Sequence, residues 1–97
     1  MKTEREIKKI ISLKKPELCA RYSVKEIGIF GSYLSGDQKE SSDIDILVEY
    51  GKPVSLIEFV NLKNYLADLL EIDVDLVMKK ALKPNLGRRI LREVVYV

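Results

Sequence analysis

The chain has 97 residues, 46% of them hydrophobic and 33% charged with a formal net charge of +2, which allows one domain over 1–97 with a modest core and leaves no room for a second catalytic domain. It has no histidine and one cysteine, Cys19, so Ser-His and Cys-His catalysis, an internal disulfide and most zinc sites are excluded. Charge interrupts every apolar stretch well before the roughly 20 residues that cross a bilayer, and MKTEREIKK lacks the apolar core of a signal peptide, so a soluble cytoplasmic protein is expected.

Taken in chain order, Thr3 and Glu6 form a capping box that opens a helix over 3–14, with Ile7, Ile10 and Ile11 on one face. Pro16 suits the first turn of a second short helix, 16–22. Cys19 shares an apolar-periodic stretch with Leu13, Leu18 and Tyr22 and is expected to be a small buried hydrophobe. Val24 to Phe30 is rich in strand formers and ends at Gly31. Ile44 to Tyr50 is a second strand, with Ile44, Ile46, Val48 and Tyr50 on one face and Asp45, Leu47 and Glu49 on the other.

After the Gly51-Lys52-Pro53 breaker, Ser55 and Glu58 form another capping box. A stripe of Leu56, Phe59, Val60, Leu62, Leu66, Leu69 and Leu70 follows, to about residue 71. Asp73 to Met78 is a third strand. Asn85 caps a last helix whose inner face is Leu86, Ile90, Leu91, Val94 and Val95. The order α-α-β-β-α-β-α predicts a small α/β (α+β) domain with a mixed three-stranded sheet and flanking helices.

Charge is distributed unevenly along this order. Residues 1–25 hold eight Lys/Arg against three acids, residues 26–78 hold three against eleven, and residues 79–97 hold six against one. Most of these charges belong on solvated helix faces. An acidic middle can also recruit divalent cations, and basic ends can attract phosphates or an acidic partner.

The chemistry concentrates in "GSYLSGDQKESSDIDILV", residues 31–48. Asp43 and Asp45 point the same way from the start of the second strand, and two carboxylates so close repel each other unless a cation lies between them. Mg²⁺ suits the pair, because it prefers hard oxygen ligands and takes one or two carboxylates with phosphate oxygens and water. Asp73-Val74-Asp75 repeats the device on the third strand; if the two strands are neighbours, a third carboxylate joins the first pair. Gly31 lets a phosphate approach the backbone, and the Ser32 hydroxyl can bond a phosphate oxygen at the start of a helical turn running through Leu34. Either motif alone reads as an ordinary turn or a solvated strand end, and Asp73 and Asp75 as edge charges that discourage strand pairing between molecules. Together they suit nucleotidyl transfer, in which metal neutralises a triphosphate and activates a hydroxyl.

Gly31-Ser32, ten intervening residues, Asp43-Ile44-Asp45 with its apolar strand, and Val74-Asp75-Leu76-Val77 resemble the minimal nucleotidyltransferase group of the DNA polymerase β superfamily. The likeness extends to the closing Ile90-Leu91-Arg92-Glu93-Val94-Val95-Tyr96-Val97. It implies a polymerase β-like nucleotidyltransferase fold acting with Mg²⁺ and a nucleoside triphosphate, ATP. Gly31 and Ser32 would hold phosphates, Asp43 and Asp45 would hold metal, and Asp75 would be a third metal ligand or a general base. Small members are similar to antitoxins that transfer AMP to a tyrosine of a HEPN-domain ribonuclease toxin, with which they assemble. Neither membrane contact nor sequence-specific nucleic-acid binding is expected. Many relatives read Ala-Arg-Gly where this chain has Leu34-Ser35-Gly36, one cation fewer. The alternative is an antitoxin that neutralises its toxin by occlusion alone. A small-molecule transferase and an Asp-x-Asp glycosyltransferase are disfavoured by length.

Overall fold

The computed structural model describes residues 3–31 and 43–97, the side chain of Leu86 excepted. Thr3 opens α1 (Glu4–Tyr22) by accepting from the Glu6 amide at 3.2 Å. The helix runs unbroken through Pro16 rather than as two helices. Proline removes one backbone hydrogen bond here, but continuity keeps Leu18 in line with Ile7 and Ile11, all three fully buried. That burial outweighs the lost bond. Cys19 is exposed, against the expectation from sequence, and so is Leu13. Cys19 sits about 100° round the helix from Leu18 and leaves the buried stripe.

The strands β1 (Val24–Phe30) and β2 (Ile44–Tyr50) have the expected bounds and pair antiparallel. Ser55 and Glu58 form the expected capping box at the start of α2 (Leu56–Leu70). This helix is the crossover that lets β3 (Val74–Met78) lie parallel to β2. Its inner stripe is Leu62, Leu66 and Leu70, with Phe59 half-buried, whereas Leu56 and Val60 point outward. A 3-10 turn at Lys79–Ala81 leads to α3 (Pro84–Glu93). The helix starts at Pro84 rather than after an Asn85 cap: Lys83 is the cap residue, without a side-chain bond, and proline's fixed φ suits the first helical position. Of its predicted inner face, Ile90 is buried and Leu91 is 43% exposed, while Leu86 lies outside the described side chains.

A fourth strand, β4 (Val95–Tyr96), corrects the expected three, and the sheet order is β3-β2-β1-β4. It pairs antiparallel with Gly28 and Ile29, and the Val97 amide continues the ladder to the Ile27 carbonyl at 2.9 Å. Gly28 makes this approach possible, because a Cβ there would collide with the Val94 side chain. Lys15 Nζ donates to the Val97 carbonyl at 2.6 Å, and the Tyr65 hydroxyl donates to Glu17 at 2.8 Å, tying α1 to the chain end and to α2.

Strand alternation then divides the core between two faces. Ile27, Ile29, Ile44, Ile46, Val48, Val74 and Leu76 pack against α1 and α2. Phe30 and Leu47 pack with Ile90 of α3 on the opposite face, helped by Val77, Leu82 and Val94. No described helix is long and apolar enough to cross a membrane.

Candidate functional site

The expected carboxylates lie where β1 ends and β2 and β3 begin. Asp45 is paired in register with Asp75 on the parallel neighbour and with Phe30 on the antiparallel one. Directly paired residues share a face, so Phe30, Asp45 and Asp75 form one row on the α3 side of the sheet. Two residues along the strands, the next row is Leu47 with Val77, which are part of the apolar cluster against α3. The acids therefore stand at the open end of a covered face.

Asp43 precedes β2 and is exposed. The Ile44 amide donates to the Asp73 carbonyl at 3.0 Å, which continues the β2–β3 register outward and sets Asp73 beside this entry. Asp43, Asp45, Asp73 and Asp75 thus occupy two adjacent levels of one strand pair. Among the described residues, no three acidic or cysteine side chains close together on a metal position. The structure brings Asp45 and Asp75 into register, with Asp43 at the mouth rather than in a closed three-carboxylate cage. Mg²⁺ needs no such cage: one or two carboxylates suffice when phosphate and water complete its shell, and an all-oxygen donor set suits it.

Gly31 has a role that sequence reasoning did not find. It has φ +80°, a conformation L side chains rarely adopt, and a Cβ built on it would overlap Asp45 Oδ2. Besides any approach of phosphate, the glycine thus makes room for a carboxylate of the next strand. Only the cross-strand register brings the two together, so no local motif could have signalled it. Ser32, Leu34, Ser35 and Gly36 lie outside the described residues.

Gly31→Ala is expected to destabilise the domain, because the substitution combines a disfavoured φ with displacement of Asp45. A cost of about 1–3 kcal/mol corresponds to a fall in Tm of roughly 5–20 °C for a domain of this size. Thermal melting checks it, and a variant that melts with the wild type would mean that β1 does not end in this conformation.

Among the described residues, cavities lie away from these acids. One of about 530 Å³ runs between the end of α1 and α2, past Arg21, Tyr22, Asn61 and Tyr65. Another, of about 370 Å³, lies by Cys19, Ser23 and Gly51, and one of about 210 Å³ lies at the far end of β2 and β3.

Comparison with known proteins agrees with this fold. Residues 6–97 match a family model described as a nucleotidyltransferase domain. The chain is 50% identical to the protein adenylyltransferase MntA of Thermococcus cleftensis over 97 residues, covering 100% of this chain and 98% of that one. A crystal structure of a toxin-antitoxin with AMP-PNP superposes with TM-score 0.71 at 30% identity, covering 87% of this chain and 69% of that one. A Shewanella oneidensis complex of a tri-AMPylated HEPN toxin with an MNT antitoxin superposes with TM-score 0.66 at 25% identity, covering 92% and 70%.

Proposed function

The chain belongs to the nucleotidyltransferase domain family, and on that premise we propose that it is an antitoxin that transfers AMP from ATP to a tyrosine of a HEPN-domain toxin, with Mg²⁺. The observation that carries this reading is the in-register Asp45–Asp75 pair beside Gly31, in a chain that matches a protein adenylyltransferase from end to end. The AMPylated HEPN toxin of the Shewanella complex supports a protein acceptor. A domain of this size offers little wall for binding a small acceptor, so the hydroxyl arrives on a partner. ATP supply makes the cytoplasm the natural compartment.

Asp43 and Asp45 would hold the metal that accompanies the triphosphate, and Asp75 would face the incoming hydroxyl or a second metal. Bound Mg²⁺ would supply charge neutralisation of the phosphates and a more acidic hydroxyl. The remaining work falls to the chain's own groups. A tyrosine hydroxyl, with its ordinary pKa of about 10, is a poor nucleophile at neutral pH, and Asp75 can take its proton as the oxygen attacks the α-phosphorus. The new O–P bond forms as the bond to the leaving pyrophosphate breaks. Gly31 leaves space for phosphate and for Asp45 alike. The phosphate role of Ser32 rests on the sequence.

The test is incubation of the chain with labelled ATP and a HEPN-domain protein from the same genome, with Mg²⁺ or with EDTA. Label on the partner in the Mg²⁺ arm alone is expected. A partner whose ribonuclease is silenced with no label attached would favour neutralisation by binding.

A further inference from the structure

The far end of the sheet carries features that catalysis does not use. Val48, Tyr50, Pro53 and Met78 wall the cavity of about 210 Å³. Lys52, Lys79 and Lys80 also line it, against one acid, Glu49, which pairs with Lys79 at 3.7 Å. The Tyr50 hydroxyl is buried and finds no hydrogen-bond partner among the described residues. Burial pushes its pKa up to about 12, with the Glu58 charge adding to the effect, so among the described residues it is a neutral donor without an acceptor. Immediately along the chain, α2 exposes Leu56 by 77%, Ile57 by 73% and Val60 by 41% on its first two turns.

A monomer gains nothing from three large hydrophobes in water on a helix that starts two residues after Val54, which lines an apolar cavity with lysines at its wall. Exposed apolar surface with a polar surround marks a protein contact. The excess of lysine selects an acidic occupant. Tyr50 offers a bond that no described residue completes and that an incoming acceptor atom can.

We propose that this corner, formed by the end of β2, the start of α2 and the end of β3, docks the protein that receives AMP, through a segment offering a large apolar side chain flanked by carboxylates. The proposal rests on the AMP-transfer reading for the partner's identity. Tyr50 lies five residue steps along β2 from Asp45, roughly 17 Å at the rise of a strand. Docking and reaction are therefore separate: a bound partner spans the sheet end to end, and losses at this corner raise KM with kcat largely unchanged.

The experiment measures the affinity of the full chain for a purified HEPN-domain protein from the same genome by titration calorimetry, beside its affinity for Mg²⁺-ATP and the kinetics of transfer. Leu56→Glu with Ile57→Glu is expected to weaken partner binding on the order of 100-fold, and Lys52→Glu with Lys80→Glu about 10-fold with a changed salt dependence. Tyr50→Phe breaks no described bond. It should melt no lower than wild type, yet bind the partner several-fold more weakly. ATP affinity should stay within twofold throughout, and Asp75→Asn should bind the partner normally.

Corner variants that bind the partner like wild type and still transfer AMP would overturn the docking site while leaving the activity intact. Wild-type chain that binds through this corner but never transfers AMP would uphold docking and overturn the activity. A wild-type chain with no affinity for the partner would overturn the docking proposal. So would a homodimer of the isolated chain that the same substitutions dissociate with partner binding unchanged, since the corner would then hold a second copy.

Discussion

Asp75→Asn is expected to bind Mg²⁺-ATP within a few-fold of wild type and to lose AMP transfer by a factor on the order of 100 or more, as a missing acid-base or metal contribution implies. The asymmetry follows from the sheet. Asp45 is on the strand that faces Gly31, whereas Asp75 reaches the same row from β3. Substitution there should spare the triphosphate and remove activation of the acceptor. Asp73→Asn is the matched control. Asp73 is exposed and precedes β3, and its described contact with β2 is made by its backbone carbonyl, which the substitution keeps. Its transfer rate should fall only a few-fold. Calorimetric ATP titration beside single-turnover transfer measures both variants. An active Asp75→Asn with a dead Asp73→Asn would mean that the wrong level of the strand pair had been assigned.

Asp43→Asn combined with Asp45→Asn should abolish transfer with the domain still folded. Both side chains lie at the entry of β2, outside the apolar clusters on either face of the sheet, so the core loses nothing. Removal of two neighbouring like charges relieves repulsion in the metal-free protein and removes the hard-oxygen donors that Mg²⁺ needs. The double variant should melt cooperatively within a few degrees of wild type and show neither Mg²⁺-dependent nucleotide binding nor product. Normal transfer by a folded double variant would end the metal-site assignment.

Much of the fold can be read locally. The bounds of β1 and β2 follow from runs of strand formers ended by Gly31 and Gly51, and Ser55 with Glu58 marks the start of α2 as both its cap bonds require. Alternation along β2 separates Ile44, Ile46 and Val48 from Leu47, which enter different clusters. Where the structure departs from local signals, distant partners decide. Pro16 signals a break, but burial of Leu18 beside Ile7 and Ile11 holds α1 together. Val95 and Tyr96 are too few to form a strand unaided and become one because Gly28 admits them beside β1. Periodicity gives the width of the α2 stripe but not what covers it, so Leu56 and Val60 read as core and lie outside.

The candidate site divides in the same way. Asp43 and Asp45 are visible as a motif, and Asp75 follows once β2 and β3 are neighbours, as they are. The fit of Gly31 against Asp45 is tertiary and has no sequence signature. Likewise, no motif marks the Tyr50 hydroxyl, without a partner among the described residues, beside the lysines at the far end.

Whether this chain places AMP on a tyrosine of a HEPN-domain partner is decided by intact-mass analysis of that partner, with peptide mapping, after incubation with the chain and Mg²⁺-ATP. One or more added adenylates are expected, mapped to tyrosine and absent when EDTA replaces Mg²⁺; adenylate found only on this chain or on a small molecule, with the partner unmodified, would rule out transfer to the partner.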